Sequence, residues 1–414
     1  MPLSSGLLSG IIRAVPSTDQ WAGMTKAVIG VPAGPGDILD LIRHGRASTR
    51  GDVLEATGLS RMTVFQRLDA LLAAEMIVEG DTNEATGGRR RRSLAFNTAQ
   101  SRVLVAAVDT THTRIAITDL GGGVLAEDQI EVPVEAGPSE VLDRIATAMA
   151  ALMDKHDLAA QGLCGLGLSV PGPIDPESGR PSQPPILPGW DSYPIAEHLH
   201  AGLPGIPVLT ANDADAAALG EYAAGFSHVR SLCLVKVSTG IGTGIVIDGH
   251  SYTGADGGAG DIGHVQVSPV SKAICQCGRV GCLAAVASGR AVAAELTELG
   301  FPAYSGREVR ELLAAGNADA SRLAQQAGRR IGEVMATVVC LLNPEVVLIG
   351  GALASAPLLA GIRETLYRVA LPRATRHMAL QLGSLGEDAA VAGLTRLVVD
   401  HAFAPGAINQ RLRA

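Results

Sequence analysis

Three cysteines and a histidine gather in the second half of the chain: His264, Cys275, Cys277 and Cys282. Three soft thiolates and one imidazole are the donors of a tetrahedral structural zinc site. Cys275 and Cys277 are one residue apart, which disfavours a relaxed local disulfide. Gly278 and Gly281 let the loop wrap around one ion. Protein would fill all four positions, so the expected cofactor is structural zinc and not a hydrolytic centre. The plainer reading is three free thiols in a loop. Cys164, Cys233 and Cys340 stand alone in apolar runs and read as core residues.

Asn212 and Asp213 follow an apolar stretch, 208–210, and open an alanine-rich helix. A carboxylate there can accept a hydrogen bond from a hydroxyl or act as a general base. The same pair also reads as a helix N-cap. The run Ser238-Thr239-Gly240-Ile241-Gly242-Thr243-Gly244 joins two strands. It lacks the strand-to-helix context of a dinucleotide fingerprint, which excludes that reading. Its glycines let backbone N–H groups approach an anion or a sugar, or form a tight hairpin turn.

A third group is basic. Ser60, Arg61, Thr63, Gln66 and Arg67 lie on the start and outer face of a short helix. Such side chains reach base edges in a major groove and neutralise phosphates. Arg89, Arg90 and Arg91 follow Gly87-Gly88, and arginines on a glycine hinge suit a narrow minor groove. Alone, an arginine run reads as a solvated cluster.

The elements around these residues decide between the readings. Ile38, Leu39, Leu41 and Ile42 mark one short helix, and Val53, Leu54 and Ala56 a second, closed by Gly58. Ser60 caps a third, whose buried stripe is Val64, Phe65, Leu68, Leu71 and Leu72. Two strands, 76–79 and 93–96, complete a winged helix-turn-helix. From about residue 101 the pattern turns α/β. Strands at 103–109 and 114–120 form a hairpin, a helix covers 141–156, and an apolar strand spans 163–170. A second hairpin, 232–237 with 245–248, opens a second such unit, which ends in a long helix near 321–342 and a strand at 346–349. The expected units are a mobile tail over 1–33, the winged helix over 34–99, a first lobe over 100–216 completed by 386–414, and a second lobe over 217–385 carrying the zinc loop. Met24 is an alternative start.

The chain has 414 residues, 47% hydrophobic and 18% charged, which excludes wholesale disorder. Its net charge of -8 argues against coating nucleic acid with its whole surface. The charge is uneven, however. Residues 35–100 hold nine Arg, nine acidic residues and no Lys, residues 1–34 are net +1, and the remainder is net -9. Phosphate affinity is therefore expected only on one helix face and the 87–92 segment. No apolar run reaches the ~18–20 residues of a membrane span, and residues 7–12 are too short for a signal peptide. The expected location is cytoplasmic, with no membrane partner.

Taken together, these segments resemble the ROK family of repressors, open reading frames and sugar kinases, from about residue 36 to 400. The resemblance is carried by the zinc loop, Asn212-Asp213, Ala259-Gly260-Asp261-Ile262-Gly263-His264, Ser169-Val170-Pro171-Gly172-Pro173, and Asn343-Pro344-Glu345 through Gly350-Gly351. It implies a two-lobed actin-like (ribonuclease H-like) sugar-kinase fold behind the winged helix, as in the repressor branch. It also implies ligand-binding roles for Asn212, Asp213, Asp261, His264 and Gly172, with Asp213 at the position of the kinase base. Kinases of the family hold ATP phosphates on an Asp-x-Gly-Gly-Thr turn. Here the turn is Asp109-Thr110-Thr111-His112-Thr113, with both glycines gone. Asp261 replaces a longer sugar-binding glutamate, and Ala284 replaces another glutamate.

The expectation is therefore a non-enzymatic, sugar-responsive repressor. It would bind operator DNA as a homodimer or homotetramer, and a sugar between its lobes. Two alternatives stay open: an ATP-dependent hexose or N-acetylhexosamine kinase with a DNA-binding appendage, and a repressor controlled by a protein partner or a non-sugar metabolite.

Overall fold

The computed structural model describes residues 34–81, 92–267 and 272–413. The expected tail over 1–33 and the arginines Arg89, Arg90 and Arg91 lie outside the described residues.

The described chain opens with α1 (Pro35–Arg43), α2 (Arg50–Thr57) and α3 (Arg61–Ala73). Each boundary has a local cause. Pro35 takes the first turn of α1, where its missing N–H costs nothing. Thr49 and Asp52 cap α2 reciprocally, and Gly58 ends it at a left-handed φ of 64°. Ser60 Oγ accepts from Thr63 N at 3.2 Å and starts α3. The strands β1 (Ile77–Asp81) and β2 (Arg92–Phe96) pair antiparallel. Ile38, Leu39, Leu68 and Leu71 fill the centre of this winged helix-turn-helix. Phe65 departs from the expected stripe. It is 50% exposed, and the Arg50 guanidinium covers its ring at 4.7 Å, so a cation shields it instead of the core.

The first lobe contains β3 (Arg102–Val108), β4 (His112–Asp119), β5 (Val124–Glu131), α4 (Pro138–Lys155), β6 (Leu163–Val170), α5 (Ile195–Gly202) and β7 (Val208–Asn212). Its sheet order is β5-β4-β3-β6-β7. The edge strand β5 exposes most of its residues, so it lacks the apolar signal that marks β3 and β6. Next, α6 (Asp213–Glu221) leads to β8 (Ser231–Val237), β9 (Ile241–Ile247) and β10 (His250–Ser251). Helices α7 (Leu283–Ala287), α8 (Gly289–Glu298), α9 (Gly306–Ala314) and α10 (Ala318–Leu342) follow, then β11 (Val346–Gly350), α11 (Ala356–Val369), α12 (Pro372–Thr375) and β12 (Ala379–Leu382). The second sheet runs β10-β9-β8-β11-β12. In both sheets three antiparallel strands precede two parallel ones. That repeat is the two-lobed actin-like architecture. Finally, α13 (Asp388–Ala402) and α14 (Pro405–Arg411) close the chain.

Two helices lie between the sheets. α6 packs on β8 and β9, α13 packs on β3 and β6, and the helices pack on each other. Their backbones approach through Gly220 and Gly393. A Cβ on Gly220 would sit 2.0 Å from Ala389 O, and one on Gly393 would sit 1.7 Å from Ala216 O. The same closeness corrects the reading of the second hairpin. Gly242 and Gly244 belong to β9, and only 238–240 form the turn. A Cβ on Gly244 would meet Ala214 O at 2.2 Å, so this glycine is there to let α6 lie on the strand.

The winged helix shares its core with the first lobe: Ile38 and Leu71 belong to one cluster with Val103, Leu394 and Phe403. α14 packs on α1, with Asn409 Oδ1 accepting from Gly36 N at 2.8 Å. Of the cysteines expected in the core, Cys233 is buried, Cys164 half-buried and Cys340 exposed. Cys340 lies on the outward face of α10, where an apolar neighbourhood in sequence is not one in space. No helix among the described residues is long and apolar enough to cross a membrane.

Candidate functional site

The cleft between the lobes is built from three chain turns. Asp109 follows β3 at the first hairpin turn. Asn212 and Asp213 sit where β7 passes into α6. Ser238, Thr239 and Gly240 form the second hairpin turn. Together with Gly172, Asp261, His264 and Ala284 they line a cavity of about 90 Å³. The five residues expected to bind ligand, Gly172, Asn212, Asp213, Asp261 and His264, are thus brought to one wall-to-wall space.

Asn212 does the structural work that its N-cap reading foretold. Its Oδ1 accepts from Ala214 N at 2.8 Å and from Asp215 N at 3.2 Å, and its Nδ2 donates to Gly172 O at 2.9 Å. The amide carries a second Nδ2 hydrogen beyond the one given to Gly172. Its orientation is fixed at both ends, which holds Asp213 at the cleft. Burial against the cleft wall raises the Asp261 carboxyl, and His264 pulls it partly back.

One residue that the sequence reading missed stands at the centre. Lys236, the single charge in β8, donates through Nζ to Asp213 Oδ2. Both side chains are 16% exposed. Burial works against the ammonium, but Asp213 and then Asp109 outweigh it and raise its pKa. In the sequence the only signal was a lone lysine inside an apolar strand.

A second cavity, about 200 Å³, lies beyond this pair and is lined by Thr111, His112, Ser305, Gly306, Gly350 and Gly351 among others. Thr110 Oγ1 and Thr239 Oγ1 hydrogen-bond at 3.1 Å and join the two hairpin turns. The Thr111 hydroxyl lies 3.2 Å from His112 Nδ1. Side chains therefore occupy the first turn, where glycines would leave backbone N–H groups open to phosphate.

The expected metal ligands also converge. One donor atom from each of His264, Cys275, Cys277 and Cys282 lies within 4.8 Å of all the others. Cys277 Sγ and Cys282 Sγ are 3.7 Å apart, and Cys275 Sγ is 3.5 Å from His264 Nδ1. A tetrahedral ion with M–S of ~2.3 Å and M–N of ~2.0 Å spaces its ligands ~3.8 Å (S to S) and ~3.5 Å (S to N) apart. The donor set and these two edges fit such an ion. Burial and the neighbouring sulfurs push the Cys282 thiol up to about 12, the crowding that a bound cation relieves.

On α3, Arg61 and Gln66 are exposed, and Ser60 and Thr63 bond each other through their hydroxyls at 2.8 Å. Arg67 is half-buried, and its Nη1 has no partner among the described residues. Phe65 adds an apolar surface to the same helix.

Comparison with known proteins agrees with this architecture. The sequence pattern of the ROK family matches residues 105–401. The chain is 26% identical to the xylose repressor of Caldicellulosiruptor bescii, over 87% of this chain and 94% of that protein. It is 30% identical to the glucokinase of Halalkalibacterium halodurans, over 69% of this chain and 91% of that protein. Among solved structures, a ROK family transcriptional regulator, a homologue of the Escherichia coli Mlc protein, has a TM-score of 0.76 and 27% identity, covering 91% of this chain and 98% of that one. The chain belongs to the ROK family.

Proposed function

We propose that this chain is a sugar-responsive transcriptional repressor that binds its sugar without phosphorylating it. One observation carries this reading: the carboxylate at the position of the family's base, Asp213, is paired with Lys236 inside the cleft. A base must set a lone pair against the hydroxyl it deprotonates, and the oxygen that Asp213 gives to Lys236 is taken from that role. The relatives named as a xylose repressor and as a transcriptional regulator, matched over most of their length, support the same reading.

Asn212, Asp213, Asp261, His264 and Gly172 would read the sugar. Ala284, where the family resemblance implies a glutamate, leaves one polar contact fewer. Zinc on His264, Cys275, Cys277 and Cys282 would hold the loop that presents His264 to the cleft, and it would supply no catalysis. Ser60, Arg61, Thr63, Gln66 and Arg67 would enter a major groove, with Arg89, Arg90 and Arg91 in the adjacent minor groove. A homodimer or homotetramer would set two winged helices on a palindrome. The sugar acts only through a difference in affinity between the DNA-bound and free states. Salt-dependent binding to DNA from its own promoter, weakened by a sugar from a thermal-shift panel, tests this. Equal affinity for promoter and random DNA would falsify it.

A second reading is an ATP-dependent hexose kinase with a DNA-binding appendage. It is favoured by the retention of Asp213 in the cleft and by the glucokinase relative. ADP release across a hexose panel, abolished by Asp213→Ala, would establish it in place of the first.

A further inference from the structure

The Lys236–Asp213 pair stands between two spaces. The cavity against the His264 loop and the one beyond it share Asp109, Asp213, Lys236, Ser238 and Thr239 as lining. The three charged groups come from three places: Asp109 from the first hairpin turn, Asp213 from the start of α6, and Lys236 from the other sheet. The attraction is mutual. Asp109 is held below the usual carboxylate range by Lys236 even though burial pushes it the other way.

We propose that the Lys236 ammonium, paired with Asp213 and lining the same two cavities as Asp109, is a built-in cation that stands where a divalent metal ion would otherwise be held. Two carboxylates lining one space repel each other unless a cation sits with them. A hard divalent ion such as Mg²⁺ or Mn²⁺, bound through one or two carboxylates and water, is the usual partner of such a pair. An ammonium is compact and carries its charge at one point, so it can take the same place. It differs in one respect: it is tethered to β8 and cannot arrive or leave with a phosphate. The Thr110–Thr239 hydrogen bond ties the two hairpin turns together. The consequence, that a metal–nucleotide complex has no foothold beside the sugar, rests on the reading of the cleft as a binding site without phosphoryl transfer. The metal exclusion itself does not depend on DNA or sugar binding.

The test is Mn²⁺ binding by electron paramagnetic resonance to the full chain saturated with zinc, which Mn²⁺ does not displace from thiolates. Wild type and Lys236→Arg should bind no Mn²⁺ in the cleft. Lys236→Met should gain a site about tenfold or more tighter than any in wild type, because its two carboxylates then lack a cation. Adding Asp109→Asn to Lys236→Met should remove that gain. Lys236→Gln, which keeps a hydrogen-bond donor for Asp213, is the second variant in case Lys236→Met folds poorly. In either variant Mn²⁺ should raise the melting temperature, and it should not do so in wild type. Wild type binding Mn²⁺ as tightly as the variants, no gain in both variants, or a gain that survives Asp109→Asn would overturn the proposal. A protein that failed the promoter test yet gained Mn²⁺ on losing Lys236 would lose the repressor reading and keep this one.

Discussion

Arg43 of the winged helix and Asp400 of α13 form an ion pair, Nη2 to Oδ1 at 2.6 Å. The other oxygen of Asp400 accepts from Arg396 Nε at 2.7 Å, and Arg396 in turn contacts His44 Nε2 at 2.7 Å. Phe96 and Phe403 meet edge to face at 5.1 Å beside them. The C-terminal half of α13 therefore grips the DNA-reading unit. Its N-terminal half packs on α6, the helix that begins at Asp213. One helix thus touches both the cleft-side helix α6 and the winged helix.

Asp400→Ala would leave the Arg43 guanidinium, only 9% exposed, without its carboxylate. The expected loss is about 2 kcal/mol, below that of a fully enclosed pair because Asp400 is partly open. The more telling measurement is coupling. In the variant, a bound sugar should change operator affinity less than in wild type, while sugar affinity itself stays put. Unchanged coupling would show that α13 does not carry it.

The α6–α13 crossing gives a second prediction. Gly393→Ala places a methyl group 1.7 Å from Ala216 O, which no rotamer can relieve. Helix separation should cost about 3 kcal/mol or more. Because α6 starts at the cleft, sugar affinity should fall together with thermal stability. A variant as stable as wild type would mean that the helices do not meet as described.

Metal removal gives a third. Cys275→Ser, or extraction with a strong chelator, should abolish one bound zinc per chain by elemental analysis and lower the melting temperature. Sugar affinity should drop in parallel, since His264 both joins the cluster and lines the cleft. Full zinc content in Cys275→Ser would show that the cysteine is not a ligand.

On DNA, Gln66→Ala and Arg61→Ala should separate two kinds of contact. A base-reading residue should cost about 1–3 kcal/mol on the operator and little on random DNA, whereas a phosphate contact weakens both. Competition assays at two salt concentrations distinguish them. Equal operator affinity in both variants would place α3 outside the groove.

Much of this was legible because the chemistry is local. The cysteine loop announces itself by spacing, and Ser60 and Gly58 mark helix ends through their own backbone neighbours. What was not legible depends on partners distant in sequence. Lys236 is one charge in an apolar strand, and its role shows only once Asp213 and Asp109 are set beside it. Gly242 and Gly244 read as a turn because the sequence does not say that α6 lies on β9. Phe65 read as core because a helical period cannot foresee that Arg50 will cover it. Arg43 and Asp400, more than 350 positions apart, carry no sequence sign of their pairing.

Asp215 gives the last prediction, a pH dependence. It lies on the first turn of α6, 6% exposed, with Oδ1 buried and unpartnered among the described residues. Burial first, then the charges of Asp213 and Asp261, push its carboxyl from 3.8 up to about 8. A raised acid pKa means that the folded state holds a proton the unfolded chain has released. That proton's contribution to stability is fully present below the unfolded pKa and is lost as pH rises toward the folded one. Between about pH 4 and pH 8 the loss is at most about 1.4 kcal/mol per pH unit. Above the folded pKa both states are ionised and the loss stops growing. Asp215→Asn is neutral throughout, so it lacks this dependence. Its melting temperature relative to wild type should rise steadily from pH 5 to pH 8 and then level off. Parallel curves for the two proteins would mean that Asp215 is charged in the folded state at pH 5, with a cation or water reaching its buried oxygen.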